Sequence, residues 1–168
     1  MNVTDLIARA RSALRKGIPY KLGDEGGPFT PNAADPPAAG LDCSRFVLWA
    51  VRHAGGPMDT TMIVNDAKAG PKGFFSMRAA AQPGCLIVYP DYQAIVMGKT
   101  LAHDGHVGIV TEAAAGHATS VIHCSRIVEG LHNALIPGTA PDSIVESGPL
   151  WFPAFNAIHV WCNAITEA

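Results

Sequence analysis

Apolar positions follow a helical period in the first half of the chain and a strand period in the second. The change falls at "AAAQPG", residues 79–84. Leu6, Ile7, Ala10 and Leu14 make one stripe, so a first helix is predicted from a cap at Asn2 or Thr4 to about Lys16, with Gly17 suited to the position after its end. Residues 23–41, "GDEGGPFTPNAADPPAAGL", show no period and read as a Gly/Pro-rich loop, longer than a connection needs and of a length that is often functional. Cys43, Phe46, Val47, Ala50, Val51 and Ala54 then recur at helical spacing, predicting a helix that starts at Asp42 and stops at "GGP", residues 55–57. A weaker helix is expected over 60–69, capped by Asp59 or Thr60. Beyond the change of period, "CLIVYP" (85–90), "HVGIVTE" (106–112) and "TSVIHCSRIV" (119–128) are short, β-branched and bounded by turn residues, as strands are. "AAAGHA" (113–118) reads as the tip of a hairpin joining the last two, and "DYQAIVMGKTLAHDG" as an excursion between the first two. "SIVESGPLWFPAF" and "AIHVWCNAI" each offer a further strand. Helices followed by an antiparallel meander define an α+β fold, expected as a single domain over residues 1–168.

Composition narrows the function classes. With 48% apolar and 15% charged residues, the chain is no disordered segment. A net charge of −2 makes no electrostatic case for nucleic acid or an anionic membrane as partner. The first 20 residues spread their arginines throughout and do not form a signal peptide, so the expectation is synthesis in the cytoplasm. The four cysteines (43, 85, 124 and 162) form no CxxC pair, which argues against a zinc knuckle or a disulfide framework. Three of them lie inside apolar runs and are expected to be core.

Cys43 is different, because it opens a helix. A thiol in the first turn faces unpaired backbone N–H groups and the positive end of the helix dipole, and both favour the thiolate. The plainer role is that of a small core residue. On the strands, His106 begins "HVGIV" and His123 sits in "VIHCS". By alternation His106, Gly108 and Val110 share one face, and Val121, His123 and Ser125 share one face of the partner strand. If those faces coincide, His123 can accept a hydrogen bond from His106, fix its tautomer and aim its other nitrogen outward. A cysteine at a helix start, a histidine and an orienting group are the parts of an activated thiol nucleophile. Taken singly, each histidine is better explained as a buried residue satisfied by backbone.

The order and wording of these pieces decide between the readings. "LDCSRFV", "DGHVGIV" and "VIHCS" together resemble the NlpC family of cell-wall cysteine peptidases, a papain-like group. "KGIPYKLGDEGG" and "QPGCLIVY" are similar to two further segments of that family, and the resemblance spans roughly residues 5–128. It implies a papain-like domain in which the nucleophile's helix packs on an antiparallel sheet. It also implies an endopeptidase or amidase acting on peptidoglycan stem peptides, commonly at the γ-D-glutamyl–diaminopimelate bond. The matched positions make Cys43 the nucleophile, His106 the base and His123 its orienting partner, with no cofactor. By the same resemblance Tyr20 adds a hydroxyl to the oxyanion pocket, while Asp42 and Ser44 bind polar parts of the stem peptide, although Asp42 serves equally as a helix cap. Two positions depart from the family pattern. Arg45 stands where glycine is usual, beside the nucleophile, and Cys85 replaces an aspartate.

Other readings remain open on the sequence. His103, Asp104 and His106 crowd together, but at a spacing that suits metal ligation only on a helix, so no metal is expected. A catalytically silent binding module, or a papain-like acyltransferase or amidase with a non-wall substrate, would keep the same fold. Peptidoglycan or a muropeptide is the expected partner. Without a signal peptide, three readings stay open for a wall-directed enzyme: a toxin delivered by a secretion system with an immunity or delivery protein beside it, a lysin carried by a phage particle, or an enzyme recycling wall fragments in the cytoplasm.

Overall fold

The structure is a computed structural model that describes residues 1–70, 72–135 and 142–167. Three helices come first: α1 (Val3–Arg11), α2 (Cys43–Ala50) and α3 (Thr60–Lys68). Each is capped by a side-chain oxygen, from Asn2, Asp42 and Asp59 respectively, which accepts one of the N–H groups a helix start leaves unpaired. α1 stops short of the predicted Lys16. The Ser12 hydroxyl turns back onto the Arg9 carbonyl at 2.7 Å, the last turns tighten to three-residue bonds, and Arg15 takes a left-handed φ of 59°. α2 also ends early, at Ala50. Arg52 adopts a left-handed φ of 56° while the N–H groups of Arg52 and His53 return to the carbonyls of Trp49 and Leu48, a Schellman closure made without glycine.

The strands are β1 (Phe75–Arg78), β2 (Leu86–Tyr89), β3 (Tyr92–Val96), β4 (Lys99–His103), β5 (His106–Ala114), β6 (His117–Cys124), β7 (Ile144–Ser147) and β8 (Ile158–Cys162). Six of them form an antiparallel sheet in the order β1-β8-β2-β5-β6-β7. The excursion of residues 91–105 contains a hairpin of its own, β3 with β4, turned by Met97 and Gly98 at φ 51° and 75°. Paired left-handed residues make the turn that matches strand twist. The hairpin tip between β5 and β6 falls where predicted, at Ala115–Gly116.

The strand expected over 119–128 ends at Cys124. Ser125 accepts the Ile127 N–H on its hydroxyl (3.3 Å), and helix α4 (Arg126–Leu135) follows. Ile127, Leu131 and Leu135 recur every four residues, a helical spacing that a β-branched Ile–Val pair at its start disguises.

α2 packs on β5 and β6, α3 on β1, β2 and β8, and α1 on α2 and β5. Every residue of α2 is buried, with Phe46, Val47, Leu48 and Trp49 fully so. Burying each such side chain contributes about 1.5–3 kcal/mol, enough to hold the helix rigidly against the sheet. The Gly/Pro-rich loop is likewise fastened to α2. Arg9 lies over the Trp49 ring (4.1 Å) and donates to the carbonyls of Pro31, Ala33 and Ala34, while Trp49 Nε1 also donates to Ala33.

Candidate active site

The N-terminus of α2 is built around Asp42. Its Oδ1 accepts the Arg45 N–H (2.7 Å) and the Ser44 hydroxyl (2.8 Å), and its Oδ2 accepts the Gly23 N–H (2.9 Å). One carboxylate thereby caps the helix and closes the loop onto it. Arg45, the departure expected to put a cation beside the nucleophile, is 4% exposed and donates to the Gly27 carbonyl (2.8 Å). Its guanidinium thus reaches back to hold the loop. Cys85, the other departure, accepts the Gln82 N–H on its sulfur at 3.4 Å, the turn-closing bond an aspartate oxygen would make.

Cys43 is the first residue of α2 and is only 6% exposed. The helix-dipole argument predicted a lowered thiol pKa, and the structure reverses it. Burial, with Asp42 adding its negative charge, pushes the Cys43 thiol up to about 12, and the backbone N–H groups of Val107, Ser44 and Cys43 only partly offset this. Val107 follows His106 directly, so the start of α2 meets the start of β5. Among the described residues, no hydrogen bond runs from Cys43 to His106.

The two histidines meet as the alternation implied. His123 lies opposite Gly108 in the β5–β6 ladder, and His106 Nε2 stands 2.8 Å from His123 Nδ1, the rings perpendicular. Gly108 is required for this approach, since a Cβ there would sit 2.5 Å from Val121 Cγ1 and 3.1 Å from His123 Cβ. The segment after β7 covers the pair. Phe152 stacks on His106 (ring centroids 5.1 Å apart) and meets His123 edge-on, and Trp151 lies 6.0 Å from His123. This cover keeps both rings uncharged: burial draws His106 down to about 4, and burial together with His106 draws His123 down as well.

Tyr20 bridges to Leu41, two residues before Cys43, and its N–H donates to Glu129 Oε1 (3.2 Å) while Arg126 lies 5.7 Å over its ring. Together with His106, Tyr89, Asp104, Arg126 and Trp151 it lines a cleft of ≈ 260 Å³. A second cleft of ≈ 270 Å³ is lined by Asp42, Ser44, Arg45, Met58 and Met62. Leu22 borders the first and Gly23 the second, so the two adjoin along one stretch of the loop. His103 stacks on Tyr92 (4.7 Å), and among the described residues no group of three or more histidine, cysteine or acidic side chains is placed to hold a metal. Trp151, Phe152 and Ser147, all near the histidine pair, escaped the sequence reading. Their segment reads only as a further strand, which β7 bears out for Ser147, and the aromatics around its prolines give no sign of the histidines they meet.

An α+β fold that sets a cysteine at a helix start against the inner strands of an antiparallel sheet, with paired imidazoles on that sheet, is of the papain-like class. The family model of the CHAP domain matches residues 32–125, more than half the chain, and the protein belongs to that family. CHAP domains occur in NlpC/P60-like and other cell-wall peptidases of the papain-like cysteine and amidase type. The membership supports a peptidoglycan hydrolase, amidase or peptidase, with peptidoglycan as its substrate. A comparison with curated proteins finds no match.

The buried histidines carry a pH signature. His53, His106 and His123 all have folded pKa values below the ordinary 6.5, each chiefly through burial. Groups depressed in this way stabilise the fold fully above about pH 6.5, and that stability is lost as pH falls toward the folded values. Chemical-denaturation midpoints should therefore drop between pH 6.5 and 4. His106, buried and held neutral, contributes to the loss. His106→Gln, which cannot take up the proton, should show a shallower slope. An equal slope in the variant would remove His106 from this account.

Proposed function

We propose that the protein is a thiol hydrolase that cuts an amide bond in peptidoglycan stem peptides through Cys43, His106 and His123, at the γ-D-glutamyl–diaminopimelate bond. The observation that carries this reading is the 2.8 Å contact between His106 Nε2 and His123 Nδ1. It occupies one nitrogen of His106 and leaves Nδ1 as the working one. In the first half-reaction the Cys43 proton passes to His106 Nδ1 as the sulfur attacks the carbonyl carbon. Nδ1 then returns the proton to the leaving amine as the C–N bond breaks, giving a thioester. Water attacks the thioester, again losing its proton to Nδ1, and the proton returns to sulfur as the C–S bond breaks to release the carboxyl product.

The raised thiol pKa and the lowered imidazole pKa describe a resting pair in which neither group is charged. Charge separation then accompanies attack, and contacts of this kind tighten when substrate binds. The N–H groups of Cys43 and Ser44, which face the sulfur, and the Tyr20 hydroxyl in the adjoining cleft are the donors for the oxyanion. A stem peptide in these clefts would meet His106 and Tyr20 in the first and Asp42 and Ser44, the residues flanking Cys43 in sequence, in the second, while Asp42 continues to cap α2.

Mass spectrometry of digested peptidoglycan tests the whole reading. The expected products carry a free γ-carboxyl on D-glutamate and a new amino terminus on diaminopimelate, and digestion should continue in the presence of a chelator. Cleavage at the muramoyl–alanine amide would keep the mechanism and move the bond, whereas intact peptidoglycan after prolonged digestion would end the proposal.

A further inference from the structure

We propose that Ser147 is a positioning residue that fixes which nitrogen carries the proton in His123 and, through it, in His106. The inference rests on the preceding reading only in taking His106 as the base. Ser147 lies opposite Val121 in the β6–β7 ladder, diagonal to His123 on the same face. Its hydroxyl is 3.4 Å from His123 Nε2, and the same hydroxyl donates to the Gly148 carbonyl at 3.2 Å. A serine hydroxyl has one proton and two lone pairs. With the proton spent on Gly148, Oγ can only accept from His123, so Nε2 of that ring is the protonated nitrogen.

The consequence runs along the chain of bonds. A neutral His123 protonated at Nε2 has a bare Nδ1, and Nδ1 is the atom facing His106 Nε2 at 2.8 Å. His106 must then donate from Nε2, leaving its own Nδ1 unprotonated and able to take the thiol proton. The opposite ordering is chemically self-consistent but inert. A proton on His123 Nδ1 would donate to His106 Nε2 and force the His106 proton onto Nδ1, where a base needs a lone pair. Nothing within the histidine pair itself distinguishes the two orders, since each ring is symmetric in this respect. The asymmetry enters from Ser147, and both rings are held neutral by burial, so the ordering applies at neutral pH. Ser147 lies outside the residues 32–125 that match the family model, so this contact comes from the chain's own C-terminal part.

Long-range ¹H–¹⁵N correlation spectra of the labelled protein at pH 7 read the tautomers directly, without substrate. The expected spectrum shows Nε2–H and bare Nδ1 in both His106 and His123, and a proton on His106 Nδ1 would overturn the proposal. In Ser147→Ala both rings should populate the two tautomers, and kcat on a soluble stem peptide should fall about fivefold at unchanged KM, the effect of one ordinary hydrogen bond. Ser147→Thr, which keeps the hydroxyl, should restore tautomer and rate. Unchanged tautomers in Ser147→Ala would equally overturn the role. The wild-type spectrum needs no variant, so it decides even if Ser147→Ala fails to fold. Hydrolysis that survives Cys43→Ala would sink the proposed function instead, and leave the tautomer result standing or falling by itself.

Discussion

Cys43→Ala is expected to abolish the release of stem-peptide fragments from purified peptidoglycan while the protein stays folded. The sulfur is the atom that bonds to the substrate carbonyl in the proposed reaction, and alanine offers no substitute. Loss of a covalent nucleophile typically removes all but the residual effect of binding and oxyanion contacts, so the rate should drop by at least about 10³-fold. The fold should tolerate the change. Cys43 is buried, but the helix start is held by Asp42 through its bonds to Arg45, Ser44 and Gly23, none of which involves the thiol. Deleting one buried heavy atom costs about 1 kcal/mol. Fragment release by reverse-phase chromatography and the urea midpoint by circular dichroism measure both parts. Full activity in the alanine variant would mean that another group makes the bond.

His106→Ala should be nearly as damaging, with a rate lower by about 10²–10⁴-fold, the range for a general acid–base residue. This variant has a more specific signature than loss alone. His106 borders the cleft of ≈ 260 Å³, so free imidazole can reach the space its ring vacates, and added imidazole should restore part of the activity. His123→Ala should lose less, because His123 acts on the orientation and tautomer of His106 and exchanges no proton with substrate. Imidazole should not rescue it, since His106 still fills the working position. If His123→Ala were the more damaging of the two, the roles of base and orienting residue would have to be exchanged. The aromatic ring of Phe152 bears on both variants: it stacks on His106 and meets His123 edge-on, so removing either ring leaves it against a cavity.

The helix that opens with Cys43 was legible because capping and amphipathic spacing are written within about ten consecutive residues. The same holds for α3 and for β5 and β6, whose turn residues and β-branched runs are local signals. Two errors at element ends share a cause: Ser12 and Ser125 each spend a hydroxyl on the nearby backbone, and such bonds end one element or start another against the apolar pattern. The hairpin of β3 and β4 was hidden because its strands lie outside the main sheet and β4 is exposed along its whole length. Ser147, Trp151 and Phe152 were invisible as site residues because their partners lie far earlier in the chain, and nothing in their own neighbourhood announces the contact.

What the amino-acid order settled unaided is a matter of parity and spacing. Once β5 and β6 pair antiparallel, a strand period of two sets the side of the sheet to which His106 and His123 point, and the Asp42 cap places Cys43 in the first turn of its helix. Ionisation was decided elsewhere. The helix dipole is a local field that favours the thiolate, but desolvation depends on every segment packed around the sulfur, and here that larger effect leaves the thiol protonated. The same physics covers the histidines with residues from the C-terminal part of the chain and hands the order of their protons to a serine on a third strand.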